Sequence, residues 1–294
     1  MLPASAILFC ACASAQEGGG TVAAVQGWLD WRGPQQTGTS LETDIFDTLE
    51  VDGEHHLWSY DLAGRGTPVV AEGRVYTLGY EGEGPDLQEM LVCLDERTGE
   101  LIWERRWNDF LSDVIYNRYS VASPTIDPET GNVYVITTPG VIKCFSQGGD
   151  LLWEVSSMAT LGRLSFPNGR TGSPVVDGER LIVHLITAHW GPTNGPARDR
   201  FYAFDKHTGE LIWGNTPGTG PKDSPYSHPV LGEANGRRVL YAGLGCGNVV
   251  CIDARTGDNL WRYRLATGGV NSSPVLYGDS LIAIHGRENM DTST

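Results

Sequence analysis

The chain has 294 residues and a formal net charge of −15, from 36 acidic against 21 basic side chains. That balance excludes nucleic acid and anionic lipid surfaces as partners, because both require a basic face. Thirty-eight glycines and 40% hydrophobic residues suit a turn-rich protein with apolar cores, and no run approaches the ~18–20 apolar residues of a membrane span.

Residues 1–15 read as a secretory signal peptide: an apolar run over 4–13 ends in Ala13-Ser14-Ala15, a small-x-small cleavage pattern. Lipidation at Cys12 is the alternative, although Phe9 and Cys10 fit a lipid-attachment motif poorly. Both readings export the protein to the periplasm or beyond. No Lys or Arg precedes the run, so the start of the peptide is expected upstream. Residues 16–56 form a leader and entry segment containing Trp28, Trp31 and a solvated His55-His56 pair.

Residues 57–294 are organised by a recurring phrase. It reads Cys93-Leu94-Asp95, Thr98-Gly99, Trp103, then Ala203-Phe204-Asp205, Thr208-Gly209, Trp213, then Cys251-Ile252-Asp253, Thr256-Gly257, Trp261. A degenerate copy, one residue shorter, runs from Cys144 through Gly148-Gly149 to Trp153. Each is a β-hairpin: the Asp carboxylate accepts backbone N–H groups within the turn, and Gly supplies positive φ. The Trp on the returning strand is a large apolar group that requires cover. A second phrase, Pro68-Val69-Val70, Pro124-Thr125-Ile126, Pro174-Val175-Val176, Pro229-Val230-Leu231 and Pro274-Val275-Leu276, interleaves with the first. Together they define units of roughly 50 residues with four antiparallel strands, which is a β-propeller blade.

The expected fold is therefore all-β, with complete blades over 66–106, 122–156, 172–215 and 227–264 followed by two strands of another. Leu57-Trp58-Ser59-Tyr60 matches the last strand of a blade whose other strands are missing upstream. Cys93, Cys144 and Cys251 share a repeat position with Ala203, so that position is a small buried site, and blades hold such cysteines too far apart to bond. Cys246 with Cys251 is the one pairing worth testing. Gly243-Leu244-Gly245-Cys246-Gly247 imitates a dinucleotide loop but leads into a strand, so it is a hairpin turn. His184 and His189 lack a nearby carboxylate or cysteine to complete a zinc set, and no metal is expected.

The spacing of Ala203, Asp205, Thr208-Gly209 and Trp213 resembles the repeat of the PQQ-like, or quinoprotein alcohol dehydrogenase-like, β-propellers. Trp28 to Pro34 with Gly38 is similar to the entry segment of exported bacterial members. The resemblance implies an eight-bladed ring, of which this chain would be a fragment; a closed ring of four or five blades is the alternative. It does not imply one activity, because the family includes dehydrogenases, assembly scaffolds and sensor ectodomains. Its enzymes hold pyrroloquinoline quinone (PQQ) against a disulfide of adjacent cysteines and a tryptophan, with Glu and Asn ligands to calcium and an Asp base. No adjacent cysteines occur after residue 15, and no residue here can be matched to the ligands or the base. The repeat tryptophans Trp103, Trp153, Trp213 and Trp261 are accordingly read as packing devices, with Asp95, Gly99, Asp205, Gly209, Asp253 and Gly257 as turn formers.

Loop lengths point to a contact surface. The first–second and third–fourth strand turns of each blade are short and share one face. The other connections, 79–88, 105–121, 156–171, 187–199 and 214–226, are long and share the opposite face, where rigid scaffolds usually carry binding groups. The candidate binding residues there are Tyr116, Arg118, Tyr119, Arg170, His189, Trp190, Tyr226 and His228. The expectation is a non-catalytic exported scaffold that binds a protein, peptide or glycan and takes no cofactor. The alternative is an alcohol or sugar dehydrogenase using PQQ with calcium.

Overall fold

A computed structural model describes residues 24–40, 42–43, 45–50, 52–108, 119–161, 172–187, 198–221 and 226–285. The signal segment and residues 109–118, 162–171 and 188–197 lie outside them. A two-residue strand, β1 (Gly27–Trp28), adds to the inner edge of the first sheet, which continues as β2 (Val69–Ala71), β3 (Arg74–Glu81), β4 (Gln88–Asp95) and β5 (Leu101–Asn108). The second sheet is β6 (Thr125–Ile126), β7 (Val133–Ile136), β8 (Val141–Phe145) and β9 (Leu151–Ser156), followed by a single helical turn, α1 (Ser157–Leu161). The third is β10 (Val175–Asp177), β11 (Arg180–Thr187), β12 (Arg198–Asp205) and β13 (Leu211–Asn215). The fourth is β14 (Val230–Ala234), β15 (Arg237–Gly243), β16 (Asn248–Asp253) and β17 (Asn259–Arg264), and β18 (Val275–Tyr277) with β19 (Ser280–Ile282) begins a fifth. All pairings are antiparallel between successive strands. These are the four complete blades and the partial one that the repeat predicts.

The repeated phrase does the same local work each time. Asp95 Oδ1 accepts the N–H groups of Arg97 and Thr98, both at 2.9 Å, and Asp205 and Asp253 repeat the pattern. The Thr98 and Arg97 N–H groups hold the Asp95 carboxyl below its usual pKa. Beyond the turn, each Trp lies opposite the small residue: Cys93 faces Trp103, Cys144 faces Trp153, Ala203 faces Trp213 and Cys251 faces Trp261. A register shift follows that small residue in all four sheets, which reconciles the turn with the cross-strand pair.

The Trp then joins blade to blade. Trp103 Nε1 donates to Gln147 O at 3.0 Å, Trp153 to Lys206 O at 3.0 Å and Trp213 to Ala254 O at 3.3 Å. Each indole covers the turn glycine of the next blade. A Cβ on Gly149, Gly209 or Gly257 would sit 2.6–2.8 Å from the ring, so the close approach requires glycine as much as the positive φ does. Trp58 makes the same contact on the first blade, donating to Glu96 O at 2.9 Å over Gly99. It acts as the outer-strand Trp of a preceding blade. Trp261 departs from the expectation that all four are covered: it is 41% exposed, because the fifth sheet contributes only β18 and β19 among the described residues.

Alternate strand residues feed the cores between blades. Tyr76, Leu78 and Leu91 of the first blade meet Ile126, Val133, Val135 and Phe145 of the second. Tyr134, Ile136 and Ile142 of the second meet Leu181, Val183, Leu185 and Phe204 of the third. Phe201 and Trp213 of the third meet Leu240, Leu244 and Val250 of the fourth.

The entry segment runs along the inner strands. Val25 N–H donates to Pro128 O at 2.7 Å, β1 pairs with Val70 and Ala71, and Leu29 O accepts Ile126 N–H at 2.8 Å. Arg32 Nη1 then reaches Pro274 O at 2.6 Å, so one segment touches the first, second and fifth sheets.

Candidate functional site

Two groups of residues bear on function: the frame of the loop-bearing rim, and the cluster where the entry segment crosses the inner strands. The rim begins with hairpin lengths that alternate. In the first and third blades the middle strands are eight residues each, β3–β4 and β11–β12, whereas the second and fourth blades turn tightly at 137–140 and 244–247. Part of what reads as loop over 79–88 and 187–199 is therefore strand, and α1 occupies the start of 156–171.

Each long hairpin carries a buried acid that holds the neighbouring tight turn. Glu89 on β4 is 1% exposed. Its Oε1 accepts Ser120 N–H at 2.9 Å, Ser120 Oγ at 3.1 Å and Thr138 Oγ1 at 2.5 Å. Its Oε2 accepts Thr138 N–H at 2.9 Å and Trp107 Nε1 at 3.2 Å. Asp199 on β12 stands at the same repeat position, four residues before the small residue. Its Oδ2 accepts Gly245 N–H at 2.6 Å, and its Oδ1 pairs with His184 Nε2 at 2.5 Å. Both acids thus bridge to a backbone N–H of the next blade, and this fixes the base from which the rim loops rise. A buried carboxylate saturated in this way is a rigid anchor, since every lone pair has a partner that would otherwise be orphaned.

The inner cluster is formed by Asp30, Trp31, Arg32 and His228. Asp30 Oδ1 accepts Arg32 N–H at 2.6 Å. Burial pushes the Asp30 carboxyl up to about 7, against the opposing pull of the Arg32 backbone and charge. His228 is fully enclosed and packs its ring 5.4 Å from that of Trp31, and neither ring nitrogen has a hydrogen-bond partner. Burial, then the nearby Arg32 charge, lowers its pKa to about 3, so the imidazole is neutral.

Of the candidate binding residues, Tyr116, Arg118, Arg170, His189 and Trp190 lie outside the described residues. Tyr119 is buried, its ring edge-on to Tyr80 at 5.5 Å. Tyr226 is half-buried, and its N–H donates to Asn271 Oδ1 at 3.3 Å. His228 is buried beneath Trp31. Tyr119 and His228 therefore belong to the frame under the rim rather than to its outer surface: each flanks an inner strand or a hairpin base where apolar cover is available. The expectation that His184 has no carboxylate beside it is also corrected, because the antiparallel register of β11 with β12 brings Asp199 to it. Among the described residues no three His, Cys, Asp or Glu side chains stand close enough to hold a metal ion. Cys93, Cys144, Cys246 and Cys251 are all free and buried. Burial raises the thiol of Cys93 to about 11 and that of Cys144 to about 12.

Comparison with known proteins follows the repeat. A family model described as outer membrane protein assembly factor BamB matches residues 48–186 and 88–292. Among solved structures, the quinohemoprotein alcohol dehydrogenase of Comamonas testosteroni aligns at 17% identity and a TM-score of 0.58, covering 85% of this chain and 43% of that one. Quinohemoprotein alcohol dehydrogenase ADHIIG of Pseudomonas putida HK5 aligns at 16% identity and a TM-score of 0.58, covering 87% of this chain and 44% of that one. BamB from Moraxella catarrhalis aligns at 16% identity and a TM-score of 0.48, covering 76% and 57%. The chain thus spans less than half the length of either dehydrogenase, and likeness at this identity shows the fold alone. No curated protein sequence matches the chain.

Proposed function

The chain belongs to the PQQ-repeat family of the outer membrane protein assembly factor BamB, and from that premise we propose that it is a non-catalytic, exported scaffold that binds a protein partner across its loop-bearing rim. The observation that carries the reading is the family match across most of the blades. The frame supports it: Glu89 and Asp199 tie long hairpins to neighbouring turns, which preorganises a recognition surface and lowers the entropy lost on binding. A periplasmic or extracellular location follows from the signal-like start. No helix among the described residues is long and apolar enough to cross a membrane.

The donor set does not fit the quinone chemistry that the family's enzymes use. No two cysteines are adjacent among the described residues, the four present are separately buried, and no trio of ligating side chains converges. No catalytic step is therefore assigned.

Site-specific photo-cross-linking in cells tests the proposal. A photoreactive residue replacing Glu83, on the exposed tip between β3 and β4, should capture a protein partner, whereas one replacing Arg97, on the opposite face, should not. Capture from Arg97 and not from Glu83 would place the contact on the wrong face.

A further inference from the structure

We propose that the cavity between the entry segment and the inner strands of the second to fourth sheets binds a small aliphatic amino acid, its ammonium group inward at Asp30 and its carboxylate at Arg238. The cavity is about 270 Å³. That is near the lower limit of ligand pockets, so it admits something of amino-acid size and excludes an oligosaccharide or a folded peptide. Its walls are apolar and come from three separate elements: Leu29 of the entry segment, Ile126 of β6 and Leu231 of β14, all buried.

The polar groups lie at opposite ends. At the closed end Asp30 is 4% exposed, and Gln36 Oε1 is buried without a hydrogen-bond donor. A buried acceptor without a donor calls for one from a ligand or an ordered water. Two acceptors, one of them a carboxyl, suit an ammonium group better than any neutral donor. At the mouth, beside exposed Pro34 and Gln35, the Arg238 side chain is 40% exposed. Its Nε donates to Asp177 at 2.8 Å, and the remaining N–H groups of the guanidinium fork can meet a carboxylate. Acceptors inside, a cation outside and a branched apolar wall between them match the two charged ends and side chain of leucine or valine.

Calorimetry and thermal melting of the full chain near pH 8, where Asp30 is ionised, test this with three probes. L-leucine carries both charged ends, isoamylamine lacks the carboxylate, and 4-methylpentanoate lacks the ammonium. Leucine should bind one-to-one and raise the melting temperature, and each one-ended probe should bind about tenfold more weakly or worse, the loss expected for one charged contact. Asp30→Asn should weaken leucine by a similar factor while leaving 4-methylpentanoate unchanged, and Arg238→Gln should weaken leucine while leaving isoamylamine unchanged. If Asp30→Asn fails to fold, Gln36→Leu serves in its place. No heat or melting shift with millimolar leucine, equal binding of leucine and isoamylamine, or leucine binding untouched by both deep-end variants would each overturn the proposal. None of these results depends on whether the rim binds a protein.

Discussion

Removing the Trp213 indole should be among the most damaging single changes in the chain, and removing Trp261 one of the milder ones at the same repeat position. Trp213 is 8% exposed, lies over Gly257 of the next blade and donates to Ala254 O. Trp→Ala at a buried site costs about 3–5 kcal/mol, because transfer and cavity terms add. Trp213→Phe keeps most of the packing and loses a long, 3.3 Å hydrogen bond, so it should cost roughly 1–2 kcal/mol. Trp261 is 41% exposed and has no turn glycine beneath it among the described residues, so Trp261→Ala should cost about 1–2 kcal/mol. Gly257→Ala would place a Cβ 2.6 Å from the Trp213 ring at a φ of +80°, and should reproduce much of the Trp213→Ala loss from the other side. Urea unfolding followed by tryptophan fluorescence and far-UV dichroism gives the midpoints and slopes. Equal losses for Trp213→Ala and Trp261→Ala would refute the argument that the indole acts by covering the neighbouring blade.

Three further outcomes follow from the buried polar groups. Glu89→Gln should cost about 1–3 kcal/mol, since an amide NH₂ must face one of the N–H or O–H donors now satisfied by the carboxylate; urea midpoints check this, and a neutral result would show that the rim frame does not depend on the acid. The folded-state pKa of Asp30 is raised to about 7, so the folded chain holds this proton where the unfolded chain has released it. Its contribution to stability therefore falls as pH rises from about 4 to 7, at up to about 1.4 kcal/mol per pH unit. His228, lowered to about 3, has the opposite sign: its contribution is present above about pH 6.5 and is lost as pH falls toward 3. The difference in stability between wild type and Asp30→Asn, and between wild type and His228→Phe, should thus slope in opposite directions from pH 4 to 6.5; parallel slopes would contradict the assignment. Finally, the buried thiols of Cys93, Cys144 and Cys251, all raised to about 11 or 12, should resist iodoacetamide at pH 8 until denaturant is added, which mass spectrometry reads directly; rapid native labelling would show the blades opening.

The blades were legible because the repeat encodes contacts that are local or one blade away. Asp95, Gly99 and Trp103 specify a turn, a positive φ and a cross-strand partner within eleven residues, and the next copy supplies the surface for the indole. The buried acids carried a readable signal that the Trp phrase overshadowed: Glu89 and Asp199 occupy the same repeat position, where the second and fourth blades have Gly140 and Gly247. Aligning the copies four residues further upstream exposes the alternation. The inner cluster had no such signal. Arg32 meets Pro274 across 242 residues of sequence, and nothing near either residue announces the meeting. His228 reads as a rim residue because it precedes an inner strand, yet its cover comes from Trp31, which belongs to a different part of the chain. Tyr119 reads as a loop aromatic for the same reason and is covered by Tyr80 of the preceding hairpin.

The scaffold account is tested most directly by titrating the purified full chain with pyrroloquinoline quinone in the presence and absence of calcium, following melting temperature and quinone absorbance together. Ligand that binds only the folded state at a hundred times its dissociation constant stabilises by about 2.7 kcal/mol, which is readily seen as a melting shift. The account predicts no shift and no retained quinone after desalting, with or without calcium. A calcium-dependent rise in melting temperature accompanied by retained quinone absorbance would contradict it and place the chain among the family's dehydrogenases.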